Sequence, residues 1–229
     1  MKLRLPWFTL SFAAVAGLLQ LVPGAAGQLQ FDRAAIAAGE IWRGLTGHLV
    51  HFNASHFAWD VFALLFLGSW AEIISRRGML LTFLLSALSI SATVWYLLPQ
   101  LAIYRGLSGV DSAFIGFAVA HLLRRARQSG DRWDTAVPAV AGLLFLGKSL
   151  FELATGQILF AQTGGVFSSV PAAHLVGFGA GVIASRLTRL APPRGRPGAA
   201  SSTPARPHGT PPAWRFRSPP AHGVSSPGR

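Results

Sequence analysis

Six stretches of this chain are apolar over roughly the 18 residues needed to cross about 30 Å of hydrocarbon. They are residues 5–22, 48–74, 79–98, 107–123, 137–154 and 170–187. That length requirement restricts the fold more than any motif does, and it predicts an all-α, polytopic membrane protein. Charged residues make up only 12% of the chain, against about 25% in a soluble domain. With no cysteine present, disulfides and thiol catalysis are both excluded.

The net charge of +12 would suggest nucleic acid as a partner of a soluble protein. Here the placement of the charges gives orientation instead. With six spans and a cytoplasmic N-terminus, Lys2, Arg4, Arg76, Arg77, Arg124, Arg125, Arg127, Arg132 and the eight arginines from Arg186 onward all lie inside. Only Arg33, Arg43 and Arg105 fall outside, and Lys148 is left within the fifth span. By the positive-inside rule both termini are cytoplasmic. Low Lys with abundant Arg, Ala, Gly and Pro suggests a bacterial inner membrane. The first run, preceded by Lys2 and Arg4, reads as a retained helix, with a cleaved signal peptide as the other reading. Residues 1–190 form the helical domain. Residues 191–229 hold 10 of the 15 prolines and no Leu or Ile, so they are expected to form a disordered cytoplasmic tail. Membrane lipids are expected partners and nucleic acid is not.

This topology puts unusual polar residues at one depth. Ser108 opens the fourth span, His174 lies near the same end of the sixth, and His51, His56 and Asp60 occupy that half of the second. A carboxylate at mid-membrane costs roughly 2.5–3.5 kcal/mol, so such groups should face one another or a wet cavity. Small residues explain how the helices could meet. Gly177 and Gly181 follow His174 at i+3 and i+7, while Gly109, Ala113, Gly116 and Ala120 form a matching face on the fourth helix. Packing these faces together would set Ser108 beside His174, the minimal activated nucleophile.

Four pieces then resemble one family, the rhomboid intramembrane serine proteases. They are Trp42-Arg43, the run His51…His56…Asp60, Gly106-x-Ser108-Gly109, and His174-x-x-Gly177-x-x-x-Gly181. The resemblance implies a six-helix bundle in which Ser108 and His174 cleave transmembrane protein substrates without a cofactor. It gives the oxyanion to the Ser108 N–H and His56, places Gly106, Gly109, Gly177 and Gly181 in the packing around the site, and makes His51 and Arg43 structural. The wording Tyr104-Arg105-Gly106-Leu107-Ser108-Gly109 also looks like the bacterial rhombosortase branch, whose members trim C-terminal Gly-Gly-type sorting tails.

Asp60 departs from the family, most members of which carry an asparagine there. As i+4 from His56 it shares a helix face with that ring and is expected either to orient it or to face water or a helix partner. At Ser112 the aromatic that several rhomboids stack on the catalytic histidine is missing, and Asp111 is expected to pair within the bundle. His48, His51 and His56 do not share one helix face, so no metal site is expected. Lys148 and Glu152, i and i+4, should neutralise each other. Two other classes fit less well: a non-catalytic rhomboid-like binding protein, and a transporter using Asp60, Asp111 and Glu152.

Overall fold

Asn53, Ser75 and Asp131 each start a helix by accepting an orphan N–H, and Gly130 and Gly156 each end one in the left-handed conformation. The computed structural model describes residues 5–157, 159 and 170–188; the expected tail lies outside them. Its elements in chain order are α1 (Trp7–Leu21), α2 (Ala25–Leu29), β1 (Phe31–Asp32), α3 (Arg33–Ala37), α4 (Arg43–Thr46), α5 (Ala54–Ala63), α6 (Ser69–Ile74), α7 (Arg76–Leu97), β2 (Ile103–Tyr104), α8 (Ser108–Ser129), α9 (Arg132–Thr155) and α10 (Pro171–Leu187). A π-helical turn, Leu64–Gly68, joins α5 to α6 into one continuous rod.

The Asn53 side chain accepts the His56 N–H at 2.8 Å and starts α5, so the second apolar run becomes helical only at Ala54. His48 therefore lies outside that helix, in the 3-10 turn Gly47–Leu49. Ser75 caps α7 through Gly78, and Asp131 caps α9 through Trp133. Gly130, at φ 71°, ends α8. The fourth run was expected to stop at Leu123. It continues a further turn and a half because Arg124, Arg125 and Arg127 can extend beyond the apolar layer while the backbone stays helical.

Among the described residues the fold is all-α apart from one antiparallel pair, β1 with β2, in the register Phe31↔Tyr104. Among the described residues three helical rods could cross a membrane alone by length and composition: Ala54–Ile74, Arg76–Leu97 and Arg132–Thr155. The other three expected spans are α1, which is apolar but only 15 residues long, and α8 and α10. The last two carry small and polar residues because they form the centre. Val110, Ala113, Phe114 and Phe117 of α8 are all buried.

The α8–α10 contact is backbone against backbone. A Cβ on Gly177 would land on the Gly109 carbonyl oxygen, one on Gly181 on that of Ala113, and one on Gly116 on that of Phe178. This alternation is the small-residue packing expected from the sequence, and it fixes both the spacing and the register of the two helices.

Two buried carboxylates hold the periphery. Glu72 of α6 accepts from Phe8 N at 3.1 Å, Thr9 N at 2.8 Å and Thr9 Oγ1 at 2.9 Å, capping α1 from another helix. Glu152 takes Lys148 Nζ at 2.7 Å, the i,i+4 pair read from the sequence, and also the Leu159 N–H at 2.8 Å. In the connection ahead of α5, Arg33 donates to the Val94, Trp95 and Leu98 carbonyls at the end of α7. Arg43 ties Glu40 at 2.6 Å to the Gly27 carbonyl at 3.0 Å.

Candidate active site

The site is built at the start of α8. Gly106, at φ 112°, brings the chain past His56 so closely that a Cβ there would lie 2.7 Å from the ring Nε2 and 3.1 Å from Asp60 Oδ2. A left-handed conformation at a close approach admits only glycine without strain. Two residues later Ser108 begins the helix. Gly109 then sits under the Tyr104 hydroxyl and the Ala173 carbonyl, with hypothetical Cβ distances of 3.1 and 3.3 Å. The two glycines flanking Ser108 thus have separate tasks. One lets the chain pass α5, and the other lets α8 meet α10.

Across that contact His174 Nε2 stands 3.3 Å from Ser108 Oγ. Both side chains are half-buried. The separation is longer than an optimal O–H···N bond, as is common before substrate closes a catalytic pair. Helix register places the two residues: His174 is one turn before Gly177, and Ser108 precedes Gly109, the residue Gly177 covers. Ser112 Oγ donates back to the Ser108 carbonyl at 2.7 Å, so it braces the first turn of α8.

Asp60 Oδ2 is the focus of the remaining polar groups. It accepts from Leu107 N at 2.8 Å and Ser108 N at 3.1 Å, and it lies 3.2 Å from His56 Nε2 and 3.3 Å from His51 Nε2. One carboxylate oxygen from α5 therefore caps α8, which has no side-chain cap of its own. A negative charge at a helix N-terminus is favoured by the first-turn N–H groups and the dipole, by about 0.3–1 kcal/mol and more when partly buried. Of the two roles expected for Asp60, it has the contact with His56 and adds three partners the sequence did not suggest. The two groups that the resemblance assigned to an oxyanion, Ser108 N–H and His56, are both held by Asp60 here.

Around this focus the rings are ordered. His56 stacks on Phe52 with centroids 6.1 Å apart, and the Arg105 guanidinium covers Phe52 at 4.9 Å. Arg105 Nε also donates to Gln30 Oε1 at 2.7 Å. No local signal marked Gln30, whose partner Arg105 lies 75 residues away and meets it beside the β1–β2 pair. His48 turns the other way. Its Nε2 donates toward the Ala87 carbonyl and Ser91 Oγ, both at 3.1 Å, and burial pushes its pKa down to about 4, so it is a neutral strut. Burial, with Asp60 and Asp111 nearby, raises the Tyr104 phenol above its ordinary value and keeps its proton on. Asp111 is buried on the same turn as Ser108, and neither of its oxygens has a hydrogen bond among the described residues. The pairing expected for it is not formed.

The arrangement offers a hydroxyl beside an imidazole, and an anion-binding set of two N–H groups and two histidines. A family model of the rhomboid domain matches residues 38–190, well over half of the chain. No curated protein matches it.

Proposed function

The chain belongs to the rhomboid family, and from that premise we propose that it is an intramembrane serine endopeptidase with Ser108 as nucleophile and His174 as base. The observation that carries this reading is the 3.3 Å approach of His174 Nε2 to Ser108 Oγ across a glycine-lined contact. Ser108 Oγ attacks the scissile carbonyl carbon as its proton passes to His174 Nε2. The imidazolium then returns that proton to the leaving amine nitrogen, and water, deprotonated by the same ring, releases the acyl group from Ser108. Ser108 N–H and His56 are the donors for the oxyanion, so the substrate oxygen must take the place that Asp60 Oδ2 holds in the substrate-free chain. Donors of this kind are worth about 2.7–4 kcal/mol each in the transition state.

In this reading α1, α8 and α10 complete six spans, both termini face the cytoplasm of a bacterial cell, and Ser108 lies toward the outer face of the inner membrane. The substrates are membrane-anchored proteins. The wording Tyr104–Gly109 favours C-terminal sorting tails of the kind trimmed by rhombosortases. A fluorophosphonate probe tests the activity directly. The unaltered chain should gain the probe's mass on the peptide containing Ser108, and Ser108→Ala should gain none. An intact chain that takes up no probe would instead be a rhomboid-like binding protein without catalysis.

Asp60 makes a separate prediction. A carboxylate left about 4 Å from a developing oxyanion opposes it by roughly 4 kcal/mol at an effective dielectric near 20. Asp60→Asn keeps an acceptor for the Leu107 and Ser108 N–H groups and removes that charge. Its probe-labelling rate should rise at least about tenfold. Asp60→Ala removes the cap as well and should slow labelling by about tenfold. Equal rates in all three chains would remove Asp60 from the mechanism.

A further inference from the structure

We propose that the groove between α8, α9 and α10, at the end of the bundle away from Ser108, binds one anionic phospholipid. Its phosphate would lie among Arg124, Arg127 and Arg186, and an acyl chain would run along Val119, Leu143 and Leu146. The groove encloses about 780 Å³, and these residues line it. Its floor exists because Gly142 lets α9 approach Val119 of α8 and Phe178 of α10. Along α8 it extends from Val119 to Arg127, about 12 Å at 1.5 Å per residue, which fits within a single leaflet.

Charge selects the occupant. Arg124 and Arg127 are i and i+3 on α8, and Arg186 is in the last turn of α10, so two helices bring three arginines to the lining of one groove, Arg124 also approaching His121 Nδ1 at 3.5 Å. Among the described residues no Asp or Glu lines the groove. Asp131 and Asp134, the nearest acids in sequence, belong to the start of α9, where Asp131 caps the Trp133 N–H. A guanidinium fork matches phosphate oxygens in two-point hydrogen bonds, and basic pockets between membrane helices suit anionic head groups. Depth agrees with this. Trp133 is exposed at the same end with Arg132 over its ring, the pairing expected at head-group level. The wall leading inward from the arginines is apolar, which a free phosphate would not use and an acyl chain would. The inference does not depend on the chemistry of Ser108, which is about 24 Å away along α8 at 1.5 Å per residue.

Native mass spectrometry of the full chain, titrated separately with dioleoylphosphatidylglycerol, dioleoylphosphatidylcholine and inorganic phosphate, tests it. Phosphatidylglycerol should bind at least about tenfold more tightly than phosphatidylcholine. That preference should fall to about one in R124Q/R127Q/R186Q. Ala139→Trp, which fills the apolar wall and leaves the arginines, should weaken both lipids. If the triple variant does not fold, Arg127→Gln and Arg186→Gln, both at exposed positions, should each reduce the preference. Equal binding of the two lipids, an unchanged preference in the arginine variants, or displacement of phosphatidylglycerol by inorganic phosphate alone would overturn the proposal.

Discussion

Ser108→Ala should insert and purify like the unaltered chain and cleave a membrane-anchored reporter about four orders of magnitude more slowly. His174→Ala should do nearly the same, and the double variant should be no slower than either single one. In the proposed mechanism nucleophile and base form one unit. Without the imidazole the hydroxyl keeps its proton, and without the hydroxyl the imidazole has nothing to activate, so the losses do not add. What survives comes from substrate positioning and the oxyanion donors, which neither change removes. Single-turnover cleavage in reconstituted vesicles measures this. Additive losses, or a Ser108→Ala chain that cleaves at more than a few per cent of the normal rate, would mean that another group attacks the carbonyl.

The second large effect concerns packing. Gly181→Leu should abolish probe labelling and lower the thermal midpoint in detergent by several degrees, while Gly179→Ala on the same helix should change neither. A side chain at 181 meets the Ala113 carbonyl and the Phe117 N of α8, which are backbone and cannot rotate away. Overpacking usually costs 1–3 kcal/mol, and more where nothing can yield. At 179 an added methyl meets nothing within 4 Å. The activity loss should exceed what the midpoint predicts. Pushing α10 off α8 by about 1 Å lengthens the Ser108–His174 approach directly, and a misplacement of that size costs on the order of 10²-fold. Labelling of Gly181→Leu within a few-fold of normal would show that the two residues are not registered through this contact.

Much of this was legible in the sequence, for a reason that can be stated. In lipid the helices must satisfy their own backbone, so run lengths locate the elements, and small-residue faces mark where two of them touch. Ser108, His174, Gly109, Gly177 and Gly181 were found by that argument, and the α8–α10 contact has the geometry it requires. The meeting of Asp60 with the N–H groups of Leu107 and Ser108 was not legible. Backbone donors have no sequence signature, and the approach depends on how Gly106 turns. The same holds for Glu72 capping α1 and for Arg33 on the last carbonyls of α7. Each joins groups more than 60 residues apart through atoms every residue possesses. Helix boundaries shifted for local reasons: Asn53 delayed α5, and the arginines after Leu123 let α8 run on. Asp111 is the residue whose burial neither the sequence nor its surroundings explain.

The pairing of β1 with β2 has a consequence for how this end of the molecule opens. Phe31 is bonded to Tyr104, Arg33 N donates to the Ala102 carbonyl, and Gly106 N donates to the Gly47 carbonyl, so the segment before the nucleophile is laced to the loop ahead of α5 over its whole length. Such a ladder breaks as a unit. Amide protons at Arg33 and Gly106 should therefore exchange with solvent at one common rate, set by a single cooperative opening and slower than the fraying of α2 or α3. A substrate that needs room at Ser108 would have to enter without unzipping that seam.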